Sequence, residues 1–270
     1  MKVFVIDAAK CNGCHNCQIG CKDEHVDNEW LPYALPQPDV GQFWMKVEEE
    51  VHGQVPKVNI AYRCRPCMHC SNPACMKAAR DGAVYKRDDG LVILDPIKAK
   101  GQKQIVDACP YGVVYWNEEL EVPQKCTGCA HLLDAGEVPH CVDLCTTGAL
   151  RFGEYEDFAD EIANAEVLHP EYGTGPQVYY LNLPRYFYAG DVWDPETDEC
   201  IEGAGVTLES VATGEKWIEA TDNFGDFWFR RKDLGTYTVT VEAPGYVSQS
   251  MEFTADKSLN LGDFAMKRAV

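Results

Sequence analysis

The cysteines limit how this chain can fold more than any other feature does. There are 14 of them, and all but Cys200 lie before residue 146. Disulfide frameworks this dense are typical of small secreted domains that lack a core. This chain has 270 residues, and its first residues reach Asp7 too early to form a secretion signal. The sulfur atoms of the first half are therefore expected to bind metal.

The first and last cysteine runs have complementary spacing. The opening run is Cys11-x2-Cys14-x2-Cys17-x3-Cys21, and the closing run is Cys126-x2-Cys129-x11-Cys141-x3-Cys145. In bacterial ferredoxins three cysteines of such a run bind one 4Fe–4S cluster, and the fourth binds the other cluster of the pair. Crossing the fourth ligands predicts two clusters: Cys11, Cys14, Cys17 and Cys145 hold the first, and Cys126, Cys129, Cys141 and Cys21 hold the second. Zinc also suits a C-x2-C pair, but reciprocal completion of two runs has no reason to occur for zinc.

The middle cysteines form half of a second pair. Cys67-x2-Cys70-x4-Cys75 supplies three ligands, and Cys109 precedes a proline, as the last cysteine of a ferredoxin run does. The usual gaps place the remaining four ligands at positions that hold Ala79, Ala99, Gln102 and Ile105. Those four positions are the whole ligand set of one cluster. The sequence therefore predicts a four-site scaffold with one site deleted, and a third cluster on Cys67, Cys70, Cys75 and Cys109.

Two further cysteines lie outside this scheme. Cys64 stands in the same spacing before Cys67, so a shifted frame Cys64-Cys67-Cys70 is arithmetically possible, although it would exclude Cys75. Cys200 follows two acidic residues in a turn-like segment. We interpret it as a free thiol.

Histidines and aromatic residues near the runs leave two alternatives open. His15, His69 and His131 lie inside the runs, where they either tune a cluster by hydrogen bonding or face solvent. The segment from Trp30 to Trp44 is rich in proline and aromatic residues, so it is not expected to be helical. It is either an interface arm onto a larger partner or packs against its own domain.

The second half has the pattern of an antiparallel β-sandwich. Alternating runs separated by turn residues predict strands at 205–211, 225–229 and 236–242, and in the last of these Tyr237, Val239 and Val241 share one face. The breaker-rich segment 169–176 is expected to be a linker. We therefore divide the chain into residues 1–180, which bind the clusters, and residues 181–270, which form the sandwich.

Charge and missing motifs exclude several functions. The chain has 24 Lys and Arg against 43 Asp and Glu, a formal charge of −19, which disfavours nucleic acid as a partner. No apolar run is long enough to span a membrane, so we expect a cytoplasmic protein without direct membrane insertion. No phosphate-binding loop or nucleophile triad is present. We expect no catalytic residue here, with substrate chemistry on another chain.

The motifs of the first half resemble a known family. The phrases Pro66-Cys67-Met68-His69-Cys70, Cys109-Pro110-Tyr111-Gly112 and Cys126-Thr127-Gly128-Cys129, together with the crossed ligands, are similar to the iron–sulfur subunits of the dimethyl sulfoxide reductase family of molybdenum or tungsten enzymes. The later phrases Asp222–Phe227, Leu234–Tyr237 and Pro244–Tyr246 resemble immunoglobulin-like domains of the carboxypeptidase-regulatory or transthyretin-like type. The resemblance implies an α+β fold, in which a double ferredoxin-like domain with three clusters is followed by an all-β sandwich.

The resemblance also implies partners and an activity. The expected partner is a large catalytic subunit that carries a bis-molybdopterin guanine dinucleotide with molybdenum or tungsten, in a heterodimer or a multiple of it. By analogy the Cys11 cluster is nearest that metal, the Cys126 cluster is next and the Cys67 cluster is third. Three clusters and an added sandwich indicate the transhydroxylase branch, which moves a hydroxyl group between polyphenols such as pyrogallol and phloroglucinol.

Two alternatives stay open at this point. One is an electron-transfer subunit of a related molybdenum reductase or dehydroxylase. The other is a free-standing ferredoxin-like binding protein, which needs no large subunit.

Overall fold

The chain forms two compact units that are interleaved in sequence. The structure is a computed structural model and describes residues 1–269. The first unit comprises residues 1–49 and 61–183, and the second comprises residues 50–60 together with the chain from residue 184 onward. The sequence predicts a continuous division at 180/181 instead. The structure differs because the distal part of one long hairpin, residues 50–60, belongs to the second unit, and no turn signal in the sequence marks this exchange.

The first unit contains short helices and small sheets. Helix α1 has ten residues, whereas every later helix has four or five, because glycine, proline and metal-binding motifs interrupt the chain. The helices are α1 (Asn16–His25), α2 (Ala74–Ala78), α3 (Gln104–Asp107), α4 (Ala130–Asp134), α5 (His140–Asp143) and α6 (Ala159–Ile162), with 3-10 turns at Tyr155–Phe158 and Pro170–Tyr172. The strands that lie wholly or partly in this unit are β1 (Lys2–Asp7), β2 (Lys46–Gln54), β3 (Lys57–Arg65), β4 (Val84–Lys86), β5 (Val92–Leu94), β6 (Tyr115–Asn117), β7 (Val122–Gln124), β8 (Leu150–Glu154) and β9 (Val178–Leu181).

Strand β1 is the centre of the only three-stranded sheet in the described part of this unit. It pairs antiparallel with β8 and parallel with β9. Its run from Val3 to Ile6 is buried on both faces, which explains why this strand is continuously apolar rather than alternating. The strands β2 and β3, β4 and β5, and β6 and β7 form three two-stranded hairpins.

The segment 169–176 is part of the first unit and not the linker that the sequence predicts. The amide of Ser71 donates to the carbonyl of Gly175 at 2.7 Å, and the amide of Asn72 donates to the carbonyl of Thr174 at 2.9 Å. Its glycines and proline let the chain turn closely over the Cys67 loop. Turn residues mark a change of direction, which here lies inside a unit rather than between two units.

The second unit is a sandwich of two four-stranded sheets. In the first sheet β10 pairs with β11, β14 and β17, and in the second the order is β13-β12-β15-β16. The bounds are β10 (Tyr186–Asp194), β11 (Glu199–Cys200), β12 (Gly205–Ser210), β13 (Lys216–Ala220), β14 (Asp226–Lys232), β15 (Gly235–Glu242), β16 (Gln249–Ala255) and β17 (Leu259–Ala265). All three strands predicted from the sequence are present within one to three residues, and Tyr237, Val239 and Val241 lie on the buried face as predicted.

The hairpin tip joins this unit through a buried lysine. Lys57 is 5% exposed, and its ammonium lies 2.6 Å from Asp191 on β10 and 2.8 Å from Asp226 on β14. The tip also requires glycine at position 53, because the backbone there has φ +84° and a Cβ atom would lie 2.5 Å from the Phe187 ring. Charge pairing and close packing therefore fix residues 50–60 on the first sheet.

Candidate metal centres

Four cysteines of the middle group surround one cavity. Cys67, Cys70, Cys75 and Cys109 all line it, together with apolar side chains and Thr174. Burial raises the pKa of the Cys70 thiol to about 11 and that of Cys75 to about 12, and it also raises the pKa of Cys109. Thiols of this kind become thiolates when a metal replaces the proton. Four sulfur donors around one cavity fit the ligand set of a 4Fe–4S cluster.

The second predicted set is also brought together. Cys126, Cys129, Cys141 and Cys21 are all at least 94% buried. Burial raises the pKa of each thiol, and the proximity of Cys126 and Cys129 raises that of Cys21 further. Cys21 is remote in sequence from the other three. The fold therefore brings Cys21 close to Cys126 and Cys129, as the predicted crossing requires.

Close packing of α1 on α5 allows the ligands to cross. Gly20 of α1 faces Leu144, and a Cβ atom at position 20 would lie 2.1 Å from a Leu144 methyl carbon. Cys21 follows directly on α1, and Cys145 follows directly after Leu144. The contact between the two helices thus brings the chain neighbours of Cys21 and Cys145 together.

The first predicted set is less enclosed. Cys17 is buried, Cys11 and Cys145 are half-buried, and Cys14 is exposed. The sulfur of Cys145 accepts a hydrogen bond from the Leu150 amide at 3.3 Å. Within residues 1–269, neither Cys14 nor Cys145 makes a sulfur–sulfur contact of hydrogen-bond length. Cys14 lies in the loop before α1 and Cys145 lies just after α5. Cys11 and Cys17, in contrast, each contact a fifth thiol.

That fifth thiol is Cys64, for which the sequence leaves two interpretations open. Its sulfur lies 4.0 Å from Cys11 and 3.7 Å from Cys17. Hydrogen bonding to Cys64 lowers the pKa of Cys11 to about 6 and also lowers the pKa of Cys17, while it raises the pKa of Cys64 itself. Were Cys11 and Cys17 to bind metal as thiolates, Cys64 would be the group that donates a proton to them. The shifted frame Cys64-Cys67-Cys70 is not favoured, since Cys67 and Cys70 line the cavity of the middle group and Cys64 does not.

The four positions without cysteine also converge, and protein fills the space between them. Ala99 and Ile105 are fully buried in one apolar cluster, and Ala79 packs against it. The Gln102 side chain accepts a hydrogen bond from the Arg80 amide at 2.8 Å and donates one to the Lys98 carbonyl at 2.8 Å. These four positions therefore enclose a small apolar core that is closed by an amide.

One histidine that the sequence analysis missed lies beside the second group. His25 is 1% exposed, and its Nε2 atom lies 4.0 Å from the Cys129 sulfur. Burial lowers the pKa of His25 to about 3, so its imidazole is neutral. His25 comes four residues after Cys21 on α1, hence on the same helix face. The four-residue spacing from Cys21 is the sequence feature that could have predicted a histidine beside this group.

The three histidines inside the runs occupy different surroundings. His69 is buried, and its Nδ1 atom accepts the Val92 amide at 3.1 Å. His131 is partly buried, and its Nε2 atom lies 2.9 Å from Glu24. His15 is also partly buried, with a left-handed backbone at φ 61°. None of the three is fully exposed to solvent.

The aromatic segment packs against its own unit through both tryptophans. Trp30 stacks on His131 with ring centroids 4.2 Å apart, and Trp44 lies 4.6 Å from the His25 ring. As predicted, the segment contains no helix. Between the two tryptophans, Leu31 and Val40 are exposed.

No helix within residues 1–269 combines the length and apolar character needed to cross a membrane. Cys200 is exposed on the short strand β11 of the sandwich. It makes no disulfide in the described part of the chain.

Comparison with known proteins agrees with this architecture. Residues 58–155 match a family described as a 4Fe-4S dicluster domain, and residues 189–267 match a carboxypeptidase regulatory-like domain. The chain is 44% identical to the pyrogallol hydroxytransferase small subunit of Pelobacter acidigallici, across 96% of this chain and 97% of that one. This chain belongs to the family of that subunit, among the iron–sulfur β subunits related to dimethyl sulfoxide reductase. The family predicted from the cysteine motifs is therefore confirmed.

More distant relatives in this family match part of the chain. A tetrathionate reductase subunit of Salmonella typhimurium is 35% identical over 68% of this chain and 73% of its own length. The selenate reductase β subunit of Thauera selenatis is 41% identical over 54% of this chain and 46% of its own length. The chain is an electron-transfer subunit of a molybdenum enzyme complex, and it is not the catalytic subunit. Both predictions are confirmed.

Proposed function

We propose that this chain holds three 4Fe–4S clusters in a double ferredoxin-like arrangement. Their ligands are Cys11, Cys14, Cys17 and Cys145; Cys126, Cys129, Cys141 and Cys21; and Cys67, Cys70, Cys75 and Cys109. The clusters would carry single electrons, and the chain's own residues would set their environment. Convergence of two complete sets in buried surroundings supports these assignments. The filled fourth position supports a count of three.

The proposal extends to the reaction of the whole enzyme. We place this chain next to a large catalytic chain with a bis-molybdopterin guanine dinucleotide, in a heterodimer or a multiple of it, and assign it to hydroxyl transfer from pyrogallol toward phloroglucinol. One observation carries this assignment: the 44% identity runs through both units of the chain and covers nearly the whole length of the small subunit of pyrogallol hydroxytransferase. Its cytoplasmic location stays a prediction.

A missing fourth cluster is consistent with hydroxyl transfer. Moving a hydroxyl group from one polyphenol to another involves no net electron flow to an external acceptor. By analogy, the deleted site corresponds to the outermost position, where related subunits meet such an acceptor. The clusters that remain would serve electron storage within the complex rather than export from it.

The iron content tests the cluster assignment. The complex, prepared without oxygen, should contain about twelve irons and twelve inorganic sulfides per copy of this chain, in addition to any clusters of the partner. After the partner's own iron is subtracted, a content near eight or sixteen would contradict three clusters. A complex in which Cys75 and Cys129 are replaced by alanine should lose about eight irons, and additional replacement of Cys14 should remove about four more, which leaves the partner's own iron.

An assay without external redox agents tests the reaction. The complex should convert pyrogallol when a hydroxylated benzene is the only co-substrate. The alternative, an electron-transfer subunit of a reductase, is supported by the 35% identity to the tetrathionate reductase subunit over 68% of this chain. Activity that requires an added dye or quinol would support that alternative and refute hydroxyl transfer. Purification of this chain without a large partner would instead favour a free-standing ferredoxin-like protein.

A further inference from the structure

A lysine lies buried between two of the candidate clusters. Lys125 is 2% exposed, and it directly precedes Cys126, a ligand of the second group. Its ammonium donates to the carbonyl of Val92 and, at 3.0 Å, to the carbonyl of Cys126. Within residues 1–269 it forms no ion pair with a carboxylate. A buried ammonium without a counter-ion is strongly unfavourable, so its charge requires a partner.

The surroundings of Lys125 identify that partner. Val92 lines the cavity of Cys67, Cys70, Cys75 and Cys109, so one hydrogen bond of the ammonium ends on the wall of the third site. The other ends on the backbone of a ligand of the second site. The charge of Lys125 also opposes the effect of burial on the pKa of Cys75 and Cys126. The nearest groups that become negative on metal binding thus belong to both sites.

The Val92 peptide holds this arrangement in place. Its carbonyl accepts from Lys125, while its amide donates to Nδ1 of the buried His69 at 3.1 Å. Because Nδ1 accepts, His69 carries its proton on Nε2 and is neutral. The lysine therefore supplies the positive charge of this buried group, and its position is fixed by two carbonyls rather than by a flexible ion pair.

We propose that Lys125 is the built-in counter-ion of the Cys67 and Cys126 clusters and raises the reduction potential of both. This inference rests on the cluster assignment proposed above. Reduction adds one negative charge to a cluster, and a fixed cation nearby stabilises the reduced state more than the oxidised state. The Cys11 cluster, whose ligands do not contact Lys125, should be affected less.

Redox titration of variants, followed by electron paramagnetic resonance, tests the inference. In the anaerobic complex, Lys125→Met should shift the reduction equilibria of two clusters at least tenfold toward the oxidised state. For a one-electron couple, a tenfold shift lowers the reduction potential by about 59 mV. Lys125→Arg should retain potentials close to those of the unaltered chain. Lys103→Met removes a lysine that is 61% exposed and serves as the control. Unchanged potentials in Lys125→Met, or equal shifts of all three clusters, would overturn the inference.

Iron analysis separates this inference from the assignment beneath it. An unaltered complex without three clusters on this chain would refute the assignment itself. If the Lys125→Met complex loses clusters, Lys125→Gln takes its place in the titration. Its neutral amide can still donate a hydrogen bond to the carbonyls of Val92 and Cys126. Cluster loss in both neutral variants, with full loading and unchanged potentials in Lys125→Arg, supports a requirement for charge. Cluster loss in Lys125→Arg as well indicates a packing role and overturns the inference.

Discussion

The sulfur of Cys64 lies 3.7 Å from the sulfur of Cys17, although Cys64 belongs to none of the three proposed ligand sets. Its backbone is fixed as well, because the Tyr180 hydroxyl donates to the Cys64 carbonyl at 2.9 Å. The Cys64 thiol is thus held beside a proposed ligand of the first cluster. Hydrogen bonds to ligand sulfurs are among the factors that set the potentials of iron–sulfur clusters.

Replacing Cys64 should therefore change a potential without removing a cluster. In Cys64→Ala the lost donor should lower the potential of the Cys11 cluster, with about a fivefold change in its reduction equilibrium for a hydrogen bond of about 1 kcal/mol. Redox titration measures this change, with the exposed Cys200→Ala as control. Loss of about four irons would show instead that Cys64 is a ligand.

The crossed ligation predicts which cluster each substitution removes. Cys21→Ala should abolish the Cys126 cluster and leave the Cys11 cluster intact, although Cys21 is adjacent in sequence to the Cys11 run. The opposite result, with the Cys11 signal lost, would contradict the crossing. Paramagnetic resonance of the reduced complex distinguishes the two outcomes, and Cys75→Ala, which should remove only the third cluster, provides the comparison.

The apolar side chains at the positions without cysteine should increase the local stability of the first unit. Ile105→Ala removes a fully buried side chain, which typically costs about 2 to 5 kcal/mol. Hydrogen exchange of α3 and of the β4–β5 hairpin in the intact complex should report the change. Ile97→Ala, at a position 66% exposed, is the matched control and should have little effect. Equal protection in both variants would mean that the site is not a packed core.

The charge cluster at the hairpin tip should stabilise the sandwich. Lys57→Met leaves Asp191 and Asp226 facing each other without a cation, and we expect a loss of about 1 to 3 kcal/mol in the local stability of β10 and β14. Hydrogen exchange of these two strands measures it. Adding Asp226→Asn should recover part of the loss, because it removes the repulsion between the carboxylates. A double variant no more stable than Lys57→Met would contradict this account.

The same cluster predicts a pH dependence. Hydrogen bonds to the two aspartates outweigh burial and raise the pKa of Lys57 above its ordinary value. A raised folded pKa means that the contribution is complete below the unfolded pKa of about 10.4 and is lost as pH rises through the folded pKa. The difference in protection between the unaltered chain and Lys57→Met should therefore stay constant between about pH 7 and 9. A difference that declines across this range would contradict the assignment.

Removal of the clusters should unfold the first unit and leave the second unit folded. The first unit has helices of four or five residues after α1 and several of its buried side chains are cysteines, so we expect metal to stabilise it. Chelation after oxidation should abolish hydrogen-exchange protection in α1 and α5 but preserve it in β12 and β15. Equal loss in both units would argue against this dependence.

The sequence predicts the metal chemistry better than it predicts the packing around it. Spacing predicts ligands because a cube imposes fixed gaps on nearby cysteines, and the proximity of Cys21 to Cys126 and Cys129 agrees with that prediction. No comparable rule applies to Lys125 or His25, whose roles depend on which backbone and which sulfur they meet after folding. The strands of the sandwich were predictable from the alternation around Val239. The assignment of residues 50–60 to the second unit was not predictable, because Lys57 pairs with Asp191 and Asp226 only in the folded chain.

That exchange affects the order in which the chain can be built. Residues 50–60 leave the ribosome well before Asp191 and Asp226 are synthesised, and domains generally fold as their sequence emerges. Lys57 must therefore remain solvated through much of translation, and the sandwich can close only when the last strands arrive. Any fragment that begins at residue 184 would lack part of its own fold, so the second unit should be produced only together with the hairpin that precedes it.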